Sequence, residues 1–596
     1  MAKAPKAKTK ALKVNFHEQL ILNKWLWSKF NPNRLEGMKQ QLDYPQFEGI
    51  EHEGDNAGQT KFFSVISNTL FNKQVVDIDV LRRYDLNIVK HWQKITEKRN
   101  EIEGHVLNLK YFQYLSLLFT ELYLDQYFNH QADMLNELNV ELEQYNHDQK
   151  SDAEQFQQYL PEDLNKIGYW NATGSGKTLL MHVNILQYLD YFQNQNGDST
   201  YPDQIILLTP NEGLSEQHLQ ELTDSGFQAT LFDKQKSRNS LYRDEIQIID
   251  MNKLSDSDGD KTVATMSLEG KNLVLIDEGH RGTSSSAGAW MERRDILTKD
   301  GFSFEYSATF GQAVSKADNV YKRFEDAKKQ KAKMLYGMAI NKLTEEQKKN
   351  IQLDELEQQK YRREALREVY AKSILFDYSY KYFYADGYGK EVNILNMKEY
   401  HEDDERNLYL TACLLSFYQQ QYLFKKNQAK LAKFNIEKPL WVFVGNKVND
   451  DDSDILAIVK FLADFLDASR KSKVISWLHD LITNTSRLVD PKGNNIFANR
   501  FAPLYGQNAT ELYQDILKSF FNATTNQRLN VVRITANKGE LRLQVGENTP
   551  FAVINVGDEK GLYDNCENSS QTHYINARTD DFAESLFPTL NNDNSE

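Results

Sequence analysis

The rhythm of apolar and polar positions changes several times along the chain, and each change predicts a different kind of element. Residues 16–165 are mostly helical in pattern. Tyr111, Phe112, Leu115, Leu118, Phe119, Leu122 and Tyr123 recur three and four residues apart and predict a buried helix over 109–128. The stretch 133–165 is acidic and Gln-rich, with Leu135, Leu138 and Leu142 at helical spacing and Pro161 near its end, and predicts an exposed helical arm or hairpin. Over 166–320 short β-branched runs (167–170, 205–209, 230–232, 246–249, 273–276 and 302–306) alternate with helical segments, the pattern of a parallel sheet covered on both faces. Residues 321–436 return to charged helix and predict a helical insertion. A second α/β texture fills 437–596, with strands expected at 440–444, 531–535, 541–545 and 551–556. A helix is expected over 454–466, on the stripe Ile455, Ile458, Val459, Leu462 and Phe465.

A chain of 596 residues exceeds what one hydrophobic core supports, so several lobes are expected. With 40% hydrophobic and 26% charged residues the composition is that of a packed globular protein. The first fifteen residues, with Lys3, Lys6, Lys8, Lys10 and Lys13 and no apolar face, predict a basic flexible tail. They also lack the apolar stretch of a secretory signal, and no run of about 18 apolar residues occurs anywhere. The expectation is a cytoplasmic protein with no membrane partner. Cys413 and Cys566 are the two cysteines, without a zinc-ligand spacing, and are expected to be free thiols. Against 71 Lys and Arg stand 85 Asp and Glu, a net charge of −14, which disfavours indiscriminate coating of nucleic acid and leaves a local basic groove open. The mixed-sign helices of 321–436, with Lys322, Arg323, Lys328, Lys329, Lys331 and Lys333, read as solvated surfaces; a basic face following a nucleic-acid backbone is the competing use.

The chemistry is concentrated in two separated stretches. Residues 171–178 read Asn-Ala-Thr-Gly-Ser-Gly-Lys-Thr, between a predicted strand and a predicted helix. A loop that grips polyphosphate must bring backbone N–H groups close to the oxygens and aim a helix N-terminus at them; Gly174 and Gly176 permit that approach, and Lys177 adds a mobile positive charge. Thr173, Gly174, Ser175, Gly176, Lys177 and Thr178 are therefore expected to bind ATP, with the Thr178 hydroxyl on Mg²⁺. One hundred residues beyond Lys177, an apolar strand delivers Asp277 and Glu278 at its carboxyl end, where parallel sheets bind ligands. Asp277 is expected to hold Mg²⁺ and Glu278 to orient and deprotonate the attacking water, making Lys177, Asp277 and Glu278 the catalytic set.

These stretches, with Thr209-Pro210 after one strand, Gly279-His280 after the acid pair and Ser307-Ala-Thr309 after another strand, follow the order of the superfamily 2 DEAD/DEAH-type helicases. The wording of 441–447 and 551–558 most resembles the ATP-dependent restriction subunit of type III restriction enzymes and its relatives in phage defence. The resemblance implies a RecA-like P-loop NTPase lobe over 166–320 and a partial second RecA-like lobe over 437–596, with ATP between the lobes and duplex DNA crossing both. It implies that His280, Ser307 and Thr309 couple the nucleotide to the second lobe, and that Thr209 and Pro210 touch a DNA backbone. Gln113 is set against the glutamine that reads adenine, although its interval to the loop is long and a helix-surface glutamine fits as well. Asn171 stands where the family usually has a small or apolar residue, and Gly279 where Ala is commoner.

After Pro439 there is no Gln-x-x-Gly-Arg-x-x-Arg stretch, the segment that delivers an arginine to the transferring phosphate in that family. Such an arginine is worth about 10³- to 10⁵-fold in rate, so the expectation is a helicase or translocase core, incomplete as given, that binds ATP and hydrolyses it weakly. Duplex DNA, a methyltransferase or recognition subunit, and a separate chain supplying the late motifs are the partners the resemblance implies. The alternative is a non-catalytic ATP-sensing scaffold or regulatory module of a defence complex. A P-loop enzyme acting on a small molecule is disfavoured by the Ser-Ala-Thr stretch.

Overall fold

Seven strands within residues 1–390 pair into one sheet in which every neighbouring pair is parallel. The structure is a computed structural model that describes residues 15–70, 77–149, 155–197, 200–232, 245–255, 263–278, 294–316, 320–363, 365–389, 403–432, 436–445, 453–535, 539–556 and 558–581. The basic tail and His280 lie outside these residues, apart from Asn15. The strands are β1 (Lys166–Asn171), β2 (Ile205–Thr209), β3 (Ala229–Leu231), β4 (Ile246–Asp250), β5 (Leu273–Asp277), β6 (Phe302–Ser307) and β7 (Ile374–Tyr378), in the order β3-β4-β2-β5-β6-β1-β7. Because side chains alternate across a strand, Ile205, Leu207, Ile246, Ile248, Leu273 and Leu275 join one core while Ile206, Leu208, Ile249, Val274 and Ile276 join another, with Leu254, Leu268 and Leu297. Both faces are dry, which is why these strands are continuous apolar runs. The architecture is α/β and RecA-like.

On the larger core pack α1 (Ile21–Trp27), α2 (Leu35–Leu42), α3 (Ile78–Glu103), α4 (Tyr111–Asn129), α5 (Gln131–His147), α6 (Lys177–Asn196) and α7 (Glu212–Asp224). Every position of α4 from Tyr111 to Asp125 is buried, as an all-round apolar helix requires. Two of its buried polar residues are well partnered: Thr120 Oγ1 lies 2.7 Å from the Tyr169 hydroxyl, and Glu121 accepts from Asn87, Gln187 and Tyr191. Helix α5 is no exposed arm. Met134, Leu138, Leu142 and Tyr145 are buried, and Glu137 accepts from the Trp25 indole at 2.8 Å, so the leucine stripe is a packing face against α1.

The helical reading of 321–436 needs correction in two places. After α8 (Phe310–Lys316), the charged helices α9 (Val320–Tyr336), α10 (Glu345–Asn350) and α11 (Glu355–Arg363) do follow, with Lys328, Lys329 and Lys331 each held by a nearby acid. Helix α12 (Leu366–Ser373) then leads into β7, which lies beside β1 and belongs to the sheet, and α13 (Tyr380–Ala385) closes this body. The later part, α14 (Asp403–Leu431), places Leu408, Ala412, Leu414, Leu415 and Tyr418 in the core of the second body.

That body, residues 391–596, contains α15 (Asp454–Leu466), α16 (Lys471–Ile482), α17 (Ala509–Ser519), β8 (Leu529–Ile534), β9 (Glu540–Val545), β10 (Ala552–Asn555), α18 (Glu559–Ser569) and β11 (Ile575–Asp580). Its sheet runs β10-β9-β8-β11, antiparallel except for β8 with β11. The strand expected at 440–444 enters no ladder among the described residues. Leu440, Val442, Phe443 and Val444 are exposed, and Trp441 alone turns inward against Phe417 and Phe520.

Candidate nucleotide site

The carboxyl ends of β1, β6 and β5 stop at one level, since Trp170 is in register with Ser307 and Tyr306 with Asp277. β6 is the single strand between the other two, so loops leaving β1 and β5 start about 10 Å apart. Side chains can bridge that gap.

From β1 the chain turns through 172–176 into α6. Gly174 and Gly176 have φ of 86° and 84°, the left-handed region that favours glycine. A Cβ on Gly176 would sit 2.5 Å from Gln113 Nε2, and one on Gly174 would sit 3.3 Å from Phe383 Cζ. The loop is pinned from several sides: Ala172 N donates to Tyr378 O at 2.9 Å, Ser175 Oγ to Ala172 O at 2.7 Å, and Gln113 Nε2 to Ser175 O at 3.1 Å. Gln113 Oε1 also accepts from Lys110 N at 2.9 Å, so one amide group caps α4 and braces the loop. No side chain caps the N-terminus of the 20-residue α6, which leaves the amides of its first turn and the helix dipole directed at the loop. Thr178, second residue of α6, is half-buried beside it. Asn171 is fully buried at the end of β1, and neither of its side-chain polar atoms has a hydrogen-bond partner.

From β5, Asp277 is buried and Glu278 turns into the left-handed region at φ 53°, its N–H donating to Tyr306 O at 2.8 Å. A non-glycine residue held there stores about 1 kcal/mol or more. The turn swings the Glu278 carboxylate across to Lys177, Nζ to Oε1 2.7 Å, with both side chains largely buried. Asp277 Oδ2 lies 3.0 Å from His218 Nε2 on α7. The phosphate loop and the acid pair therefore meet in one place.

The remaining sequence-selected residues fall around this centre. Ser307 ends β6 and its Oγ accepts from Thr309 N at 3.0 Å; the Thr309 hydroxyl is buried without a partner, and Ala308 O accepts from the Trp170 indole at 3.1 Å. Thr209 is fully buried, its hydroxyl 2.6 Å from Ser215 Oγ, so its side chain does not reach a polymer; Pro210, the next residue, is half-exposed.

Sequence reasoning passed over His218, the Phe383 contact with the loop, and the His17 ring stacked on Trp170 with its Nδ1 2.5 Å from Asp377. None of these has a local pattern. The donor set fits a magnesium nucleotide: glycine-permitted backbone amides and Lys177 for phosphate, and Thr178 and Asp277 as oxygen donors for a hard cation. Among the described residues no helix is long and apolar enough to cross a membrane.

Residues 126–312 match the family described as type III restriction enzyme, res subunit. Among solved structures the chain is similar to the Sulfolobus solfataricus SWI2/SNF2 ATPase core in complex with double-stranded DNA, at 12% identity over 71% of this chain and 75% of that chain, with a TM-score of 0.21. A likeness at that score carries no argument about function. No curated protein matches the chain. The matched stretch carries both the phosphate loop and the acid pair, so the part of the first body that builds this site is the part similar to that family.

Proposed function

We propose that this superfamily 2 core works as a DNA-dependent ATPase that moves along or separates duplex DNA, within a type III restriction or related phage-defence system. The observation that carries the reading is the 2.7 Å contact between Lys177 and Glu278, because it joins phosphate-binding and acid-base chemistry across three strands. Magnesium would supply charge neutralisation between the phosphates, held by Thr178 and Asp277. Lys177 would exchange the Glu278 carboxylate for phosphate oxygens. Glu278, released from that pair, would orient the attacking water and accept its proton. Gln113, whose amide braces the loop, would read the adenine base in this scheme. His280, Ser307 and Thr309 would pass the state of the nucleotide onward, and Thr209-Pro210 would contribute backbone contacts to DNA, a kind of contact that carries no sequence information.

The deciding experiment is ATP turnover with and without duplex DNA, beside Lys177→Ala. DNA-stimulated turnover lost in Lys177→Ala supports the proposal. Slow basal turnover that rises when a polypeptide carrying an arginine-finger segment is added would support the further expectation that this chain takes its finger from elsewhere. Tight ATP binding with no turnover under any of these conditions would replace the motor with a non-catalytic ATP sensor.

A further inference from the structure

Asp277 has a partner that the proposed chemistry does not use. Asn211 Oδ1 accepts from Leu214 N at 3.0 Å and starts α7, whose inward stripe is Ser215, His218 and Leu222. That stripe faces the sheet beside β2 and β4, and a histidine in it must be hydrogen-bonded to justify its burial. His218 is 5% exposed, and its Nε2 meets Asp277 Oδ2 at 3.0 Å. An ionised carboxylate only accepts, so Nε2 is the donor. The other ring nitrogen, Nδ1, is buried with no partner.

We propose that His218 is the positioning residue of the metal site: through its Nε2 contact it clamps Oδ2 of Asp277, fixes the carboxylate plane, and leaves Oδ1 for Mg²⁺ or its bound water. The inference rests on the reading that Asp277 serves the cation. Hydrogen bonds behind a metal-ligating group orient it and raise its effective affinity, and their loss costs about 10- to 100-fold in metal affinity or activity. His218 does not touch nucleotide in this role, so its removal should change how much Mg²⁺ is needed rather than how the phosphate loop grips.

The test measures binding of a fluorescent ATP analogue across a Mg²⁺ titration and in EDTA, with Mn²⁺ binding followed by electron paramagnetic resonance. His218→Leu and His218→Phe both remove the donor and differ in shape, which keeps the result readable if one folds poorly. Both are expected to raise the half-saturating Mg²⁺ concentration about 10- to 100-fold while the affinity in EDTA stays unchanged. His218→Gln, which keeps an N–H at similar reach, should restore metal dependence close to that of the unsubstituted protein. If Asp277→Asn loses the metal dependence but the donor-less His218 variants keep it, the positioning role is wrong and the site reading survives. If Asp277→Asn itself leaves the metal dependence intact, the reading of Asp277 falls, and the role of His218 with it.

Discussion

The two bodies are both α/β, yet only one of them aligns its strand ends. In the first, seven parallel strands bring every carboxyl end to the same edge, so the phosphate loop converges with the acid pair and the Ser-Ala-Thr turn although it lies about a hundred residues or more before them. In the second, β8 and β10 run opposite to β9 between them, and strand ends are divided between both edges. Parallel order therefore does more than fill a core: it gathers helix N-termini and strand ends at one edge, and the burial it demands on both faces is the condition for that gathering. One ion pair of each body shows the contrast: Arg294 with Glu305 is buried at the first sheet, whereas Arg578 with Glu547 lies at the surface of the second.

The largest expected effect tests whether chemistry belongs to that aligned edge. Glu278→Gln keeps the shape and removes the proposed base, and should lower ATP turnover about 10²- to 10⁴-fold with nucleotide affinity retained. An unchanged rate would place the base elsewhere. Next comes the contrast in ion pairs. Arg294 and Glu305 are both nearly inaccessible and meet at 2.7 Å in the first body. Glu305→Leu should cost about 3 kcal/mol in stability, the lower end for a broken buried pair, because Asp295 still holds the guanidinium. Arg578→Ala in the second body, whose pair with Glu547 is solvent-screened, should leave the melting temperature where it was. Equal effects at the two sites would remove the distinction.

A pH series sharpens the same contrast. Glu121 on α4 is buried, and burial pushes its pKa up from 4.5 to about 7, against the opposing hydrogen bonds of Gln187, Tyr191 and Asn87. Between these values the folded state holds a proton that the unfolded chain has lost, so stability falls as pH rises. The contribution is fully present below about 4.5 and lost as pH passes about 7. Glu121→Gln, which stays neutral, should flatten the decline of melting temperature across this window, and an unchanged slope would count against the burial.

How far the sequence anticipated this structure depends on how local each signal is. The phosphate loop and acid pair were legible because glycine placement and an apolar run ending in Asp-Glu are short-range patterns, and 454–466 matches α15 because its stripe is periodic. β7 was not. Its five residues include Asp377, sit among tyrosines, and become a strand only by pairing with β1 far upstream, where Asp377 is satisfied by His17 and the Ser379 N–H. The same holds for His218, whose partner is fixed by sheet order. Asn171 shows a local departure that the structure leaves uncompensated: both of its polar atoms are buried and unpartnered. Asn171→Leu, with the same branched shape, should stabilise by about 1 kcal/mol, seen as a rise of about 2 °C in melting temperature. Destabilisation instead would mean that the amide has a role in the folded protein.

The smallest effect, expected at Val444, separates apolar pattern from apolar burial within the second body. Val444 and Val531 both lie in runs that read as strands, but Val444 is 85% exposed and Val531 is fully buried in β8. Burial rather than residue type sets the energy. Val531→Ala removes two methyl groups from a packed site and should cost about 2 kcal/mol, while Val444→Lys should fall within about 0.5 kcal/mol of no change. Trp441, the one side chain of that segment turned inward, is the internal control, since Trp441→Ala should cost measurably more than Val444→Lys. If Val444→Lys proves as damaging as Val531→Ala, residues 440–444 form a buried strand in solution, and the second body has a larger sheet than its four strands.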